Sequence, residues 1–132
     1  METKEVLITF KTAKLAKEKG FNWNTLHCFT DEGSLQYSSG DEDDNGVYNH
    51  NSWDNFSAPS QSVLQKWMRE QYNTHLEINV NIMRDWYYTG YNLSDKRCAE
   101  IKELYEKGDS FVGVSYEEAL EQVLFEALSL IG

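Results

Sequence analysis

The sequence predicts an α+β fold: a single two-layer domain in which an antiparallel sheet carries about three helices, in the order α-β-β-α-β-β-(β)-α. Three observations support this expectation. Three segments open at a recognisable N-cap and continue with apolar residues at helical spacing. One of them, beginning near Pro59-Ser60, runs straight into HLEINVNIM, where Leu76, Ile78, Val80 and Ile82 alternate with Glu77, Asn79 and Asn81. Alternation of period two marks a strand with one face on a core. Finally, 132 residues with 40% hydrophobic content are enough for one core, and a single proline suits short turns between regular elements.

The elements follow in order. Thr9 is a candidate N-cap for a first helix, with Ile8 and Ala13 placed as a hydrophobic staple. The run FKTAKLAKEK ends at Gly20, which suits a left-handed stop, and Lys17 and Lys19 complement the negative end of the helix. WNTLHCFT and SLQYSS flank Asp31-Glu32-Gly33 and read as a hairpin. The second helix buries Val63, Leu64, Trp67, Met68 and Tyr72. After the HLEINVNIM strand, Arg84-Asp85 is a plausible hairpin tip. In the strand beyond it, Trp86 and Tyr88 share one face while Tyr87 and Tyr91 share the other. The segment Cys98 to Lys107 fits either a helix or a strand paired with SFVGV across Lys107-Gly108-Asp109, and the strand is preferred. Ser115 and Glu118 form a capping box, after which Ala119, Leu120, Val123, Leu124, Ala127, Leu128 and Ile131 line one stripe.

Charge narrows the function classes. The net charge is −10, and no Lys or Arg occurs between Lys19 and Lys66, a gap holding seven acids. Binding to a nucleic acid needs cations against phosphate, so direct nucleic-acid contact is disfavoured. Solubility is one reading of this acidity and contact with a basic protein is the other. The N-terminal METKEVLITF lacks the apolar run of a signal peptide, and no window reaches membrane-spanning length. Cys28 and Cys98 are too few for a disulfide framework and read as reduced thiols in a cytoplasm.

Motifs of chemistry are sparse. Asp41, Asp43, Asn45 and Gly46 match the opening of an EF-hand calcium loop, in which alternate oxygen ligands precede a glycine turn. The position that needs a bidentate Glu is Ser52, and the preceding segment reads as strand, so the alternative is a polar loop. His27, Cys28, His50, His75 and Cys98 lack zinc-type spacings, and no nucleophile elbow, phosphate loop or dinucleotide fingerprint occurs. No catalytic residue and no cofactor is therefore expected. Aromatic residues are the better clue, because a strand aromatic on both faces can turn only one inward. Together with the acidic block they make up the expected partner-contacting set: Asp41, Glu42, Asp43, Asp44, Trp53, Trp86, Tyr87, Tyr88 and Tyr91.

The segments TFKTAKLAKEKGF, APSQSVLQKWMREQYNTHLEI and SYEEALEQVLFEALSLI resemble a family of small uncharacterised proteins encoded by gut bacteria, their phages and mobile elements. Two patterns carry the resemblance, A-P-[ST]-Q-S-x-L-Q-[KR]-W-[LM]-R-E in the middle and [ST]-x-E-E-A-L-E-x-x-L-x-E-A-L at the end. The resemblance implies an α+β domain in a phage or mobile-element setting, with a variable stretch between the first two helices. Here that stretch contains the acidic loop, about 38–57. The run SYEEALE is also similar to the closing helix of HicB-like antitoxin domains, over that helix alone. No activity, cofactor or site residue comes with either likeness. The leading expectation is a non-enzymatic protein-interaction module with an acidic, aromatic surface. The alternatives are a binder of a small nucleotide-like ligand and an enzyme of unassigned class; oligomeric state is left open.

Overall fold

The structure, a computed structural model, describes residues 6–37, 51, 55–94, 97–111 and 113–131. Among these residues the chain is α+β, with four helices and two antiparallel three-stranded sheets. Where one sheet was expected there are two, each in its own unit of the chain, Met1–Ser60 and Gln61–Gly132. No helix among the described residues is long and apolar enough to cross a membrane.

In the first unit, α1 (Phe10–Glu18) starts where expected. Thr9 is extended and its hydroxyl accepts from the Thr12 N–H at 3.4 Å. The helix stops at Lys19, and Gly20 takes φ +97°. Phe21 then folds back, donating its N–H to the Ala16 carbonyl and burying its ring. Strands β1 (His27–Phe29) and β2 (Leu35–Tyr37) form the expected hairpin, with Cys28 opposite Gln36 and Gly33 at φ +89° in the turn. The ring of Phe10 lies 3.0 Å from where a Cβ at Gly33 would stand, so the turn needs glycine for space as well as for backbone angle.

A third strand, β3 (Phe56–Ser57), pairs with the other edge of β1. It corrects the expectation of a loop through residue 57. Phe56 is drawn to the sheet by Phe10, whose ring lies 5.5 Å from those of both Phe29 and Phe56. Lys17 reinforces this by standing over the Phe56 ring and donating to the Asn55 carbonyl at 3.0 Å. The side chain of Asn51 accepts from the Ser57 N–H and donates to the Phe21 carbonyl.

The second unit is built on α2 (Gln61–Tyr72), which buries Leu64, Trp67 and Met68 and half-buries Val63 and Tyr72. Asn73, at φ +52°, reverses the chain into β4 (Thr74–Val80). The sheet order is β4-β5-β6, with β5 (Trp86–Ser94) central and β6 (Arg97–Glu100) outermost. Leu76 faces Gly90, Ile78 faces Tyr88 and Val80 faces Trp86, so these residues share one side of the sheet. That side is the core side: a Cβ at Gly90 would overlap Leu104, which fills the space glycine leaves. The last helix, α4 (Tyr116–Ser129), is capped by Ser115, whose hydroxyl accepts from the Glu118 N–H at 3.1 Å. It buries Ala119, Leu120, Val123, Leu124, Ala127 and Leu128, as its sequence predicts. Gln61, itself buried, donates to the Glu117 carbonyl and the Glu121 carboxylate, tying the start of α2 to α4.

The segment from Cys98 to Lys107 departs from the preferred strand pairing. Its first residues belong to β6, which pairs with β5 and not with SFVGV. From Lys102 to Ser110 the chain is a helix, α3. The reason is visible in the spacing. Leu104 and Gly108 turn inward four residues apart, while Lys102, Glu103, Glu106 and Lys107 stay outside, a helical period and not an alternating one. Among the described residues of SFVGV, Gly113 bonds to the sheet through a two-way backbone bridge with Trp86 at 3.0 Å.

Candidate functional site

The expected contact residues separate sharply. Asp41, Glu42, Asp43, Asp44, Asn45 and Trp53 lie outside the described residues, as do Gly46 and Ser52, so the calcium-loop candidate and the acidic block carry no structural statement. Tyr88 is a core residue at 1% exposure, packed on the Phe111 ring at 5.4 Å, and it drops out of any contact surface. Burial, followed by the nearby Glu126 carboxylate, pushes its hydroxyl pKa up to about 12. Tyr87 and Tyr91 are half-buried on the opposite side of β5, opposite Asn79 and His75. Thr89 stands between them, buried, and its hydroxyl has no hydrogen-bond partner among the described residues.

Trp86 is the expected residue at the free end of the hairpin, where it opens β5. It is half-buried, edge-on to Tyr116 at 5.9 Å and 88°, and paired with Val80 across the sheet. Other apolar side chains, at this end of the hairpin and beside the Gly113 bridge to Trp86, are exposed. Val80 is 49% exposed, Met83 78%, Val114 83%, and Ile82 is fully exposed. The alternation in HLEINVNIM predicts Val80 and Ile82 to point into a core. Ile82 instead leaves the strand, because Asn81 starts a turn. The Asn81 side-chain oxygen accepts from the N–H groups of Met83 at 2.9 Å and Asp85 at 3.0 Å. Its N–H donates to the Asp85 carbonyl, its carbonyl accepts from the Arg84 N–H, and Arg84 adopts φ +66°. The tip is therefore Ile82-Met83-Arg84, held by Asn81, and not Arg84-Asp85. An Asn three residues before a charged pair was a readable turn signal, overshadowed by the hydrophobic alternation.

The same unit has an open cleft of about 470 Å³. Leu104, Ala127 and Ile131 form apolar walls, while Tyr72, Thr74, Asn92 and Glu103 bring polar groups to it. It contains none of the expected contact residues.

No group of three or more His, Cys, Asp or Glu among the described residues is placed to hold a metal. Cys28 is buried in β1, and burial raises its thiol pKa, so little reactive thiolate forms at neutral pH. Comparison with family models, curated proteins and solved structures gives no match for this chain.

Proposed function

We propose that this chain is a non-enzymatic protein-interaction module whose contact surface is the free end of the β4–β5 hairpin. The observation that carries it is the full exposure of Ile82 beside Met83 and Val80 on a turn fixed by Asn81. These side chains contribute little to their own core. Covering each would be worth roughly 1.5–3 kcal/mol, so a partner gains from a surface that the isolated chain leaves wet. Trp86 with Tyr116 against it, and exposed Val114 next to the Gly113 bridge, add apolar surface to the free-end side of β5, and exposed apolar surface of this kind marks contact sites. The net charge of −10 adds long-range attraction for a basic partner. A cytoplasmic, phage or mobile-element setting belongs to the same proposal, supported by the isolated cysteines and by the sequence resemblance.

Capture by immobilised native protein, beside an Ile82→Asp/Met83→Asp double variant, tests this reading. Both positions are exposed, so the variant is expected to keep the native melting temperature. A protein held by the native bait and lost by the variant is the expected result; equal capture by both contradicts it.

A second reading, a binder of a small ligand, is favoured by the cleft beside Tyr72, Thr74 and Asn92. Nucleotides that raise the melting temperature of the native chain, but not of an Asn92→Leu variant, would support it.

A further inference from the structure

We infer that β4 pairs antiparallel with β4 of a second copy of this chain, about a two-fold axis through Asn79. The inference rests on the interaction-module reading and adds self-association through the same hairpin to it. Its basis is the direction of the backbone groups along β4. The Asn81 N–H donates to the Asp85 carbonyl at 3.1 Å, and Leu93 donates to the Asn73 carbonyl at 2.7 Å, so the odd-numbered residues of β4 bond to β5. The even-numbered residues Thr74, Leu76, Ile78 and Val80 therefore turn their N–H and C=O groups outward, to the side of β4 that no strand among the described residues covers. The structure corroborates this at Leu76, whose carbonyl accepts from the Gln65 side chain at 2.8 Å. That contact closes the first half of the edge from α2. Ile78 and Val80, in the second half, have no such cap among the described residues.

An open ladder specifies what completes it, namely another extended strand. The register about Asn79 is the one that suits a second copy. It sets Ile78 against Val80 of the partner copy and Val80 against Ile78, which forms four backbone hydrogen bonds and two apolar cross-strand pairs. It leaves Leu76 to Gln65. It also sets Asn79 against its own symmetry mate, whereas an axis through Glu77 would oppose two carboxylates. Each hairpin tip, with Ile82 and Met83, is carried alongside the other copy's β4. The two copies repel one another through their net charge, so pairing tightens as salt screens it.

Asn79 lies on the axis as a non-hydrogen-bonded pair, where Cα atoms stand about 4.5 Å apart, within reach of a disulfide. Sedimentation of the native chain over a concentration series, with Asn79→Cys and Glu77→Cys variants under mild oxidation, tests the pairing. The expected result is a concentration-dependent dimer, strengthened by salt, with Asn79→Cys forming a covalent dimer roughly tenfold or more faster than Glu77→Cys or the native chain. Val80→Pro removes one outward donor, and Val80→Lys places charge on the edge; either is expected to give monomer. A native chain monomeric at millimolar concentration overturns the inference, as does a dimer that Asn79→Cys fails to trap or that both Val80 variants leave intact. In those cases, tip-dependent capture of a different protein would still uphold the interaction-module reading.

Discussion

Tyr88 and Ile82 are two large side chains of one hairpin, and the structure reverses the place each was expected to take. Tyr88 was expected at a contact surface, but it is held in the core by Phe111 and by the backbone at Gly108, where a Cβ would overlap the Tyr88 carbonyl. Two predictions follow from that packing. Gly108→Ala forces β5 and α3 apart and should cost about 1–3 kcal/mol in urea unfolding. The second concerns pH. The unfolded chain loses the Tyr88 proton near pH 10 and the folded chain near 12. Over that window the folded state binds more protons, so its stability falls as pH rises. A Tyr88→Phe variant should therefore lose less melting temperature between pH 10 and 12 than the native chain does. Ile82 was legible as apolar but not as exposed, because alternation alone does not show where a strand ends; the Asn81 side chain decides that.

Helices capped by their own sequence were legible and the helix without a side-chain cap was not. Thr9 and Ser115 both bond to the N–H three residues on, and α1 and α4 begin where their caps stand. By contrast α3 follows Ile101, an N-cap with no side-chain bond, and its nine residues carry one fully buried leucine. Tertiary packing on β5 fixes this helix, which is why a short charged segment fitted both a helix and a strand, and the strand was preferred. Ser115→Ala should cost about 1 kcal/mol, and Thr9→Ala less, since its bond is longer at 3.4 Å. Leu104→Ala should cost about 2–5 kcal/mol, more than either cap. Chemical denaturation of the three variants gives that order, and a cheap Leu104→Ala would contradict the anchoring of α3.

The α+β class of the whole molecule was legible because its capped helices and amphipathic strands are local features. The division of the strands between two sheets was not, since pairing is settled by residues far apart, such as Phe10 reaching Phe56. The contact surface was partly legible. Trp86 was singled out in sequence, whereas Val80, Ile82, Met83, Val114 and Tyr116 join it only through the turn and the Gly113 bridge. Net charge acts at this scale too. With −10 on 132 residues, self-repulsion opposes folding, and added sodium chloride should raise the melting temperature. The most direct test of the contact surface is photo-cross-linking inside cells that express the chain, from a benzophenone side chain at position 82 and, separately, at the exposed Glu70 on α2. A discrete product from position 82, absent from position 70, is the predicted result, whether the second protein is another copy or a different chain. No product from position 82, or the same products from both positions, would contradict the assignment of the hairpin tip as the surface through which this protein acts.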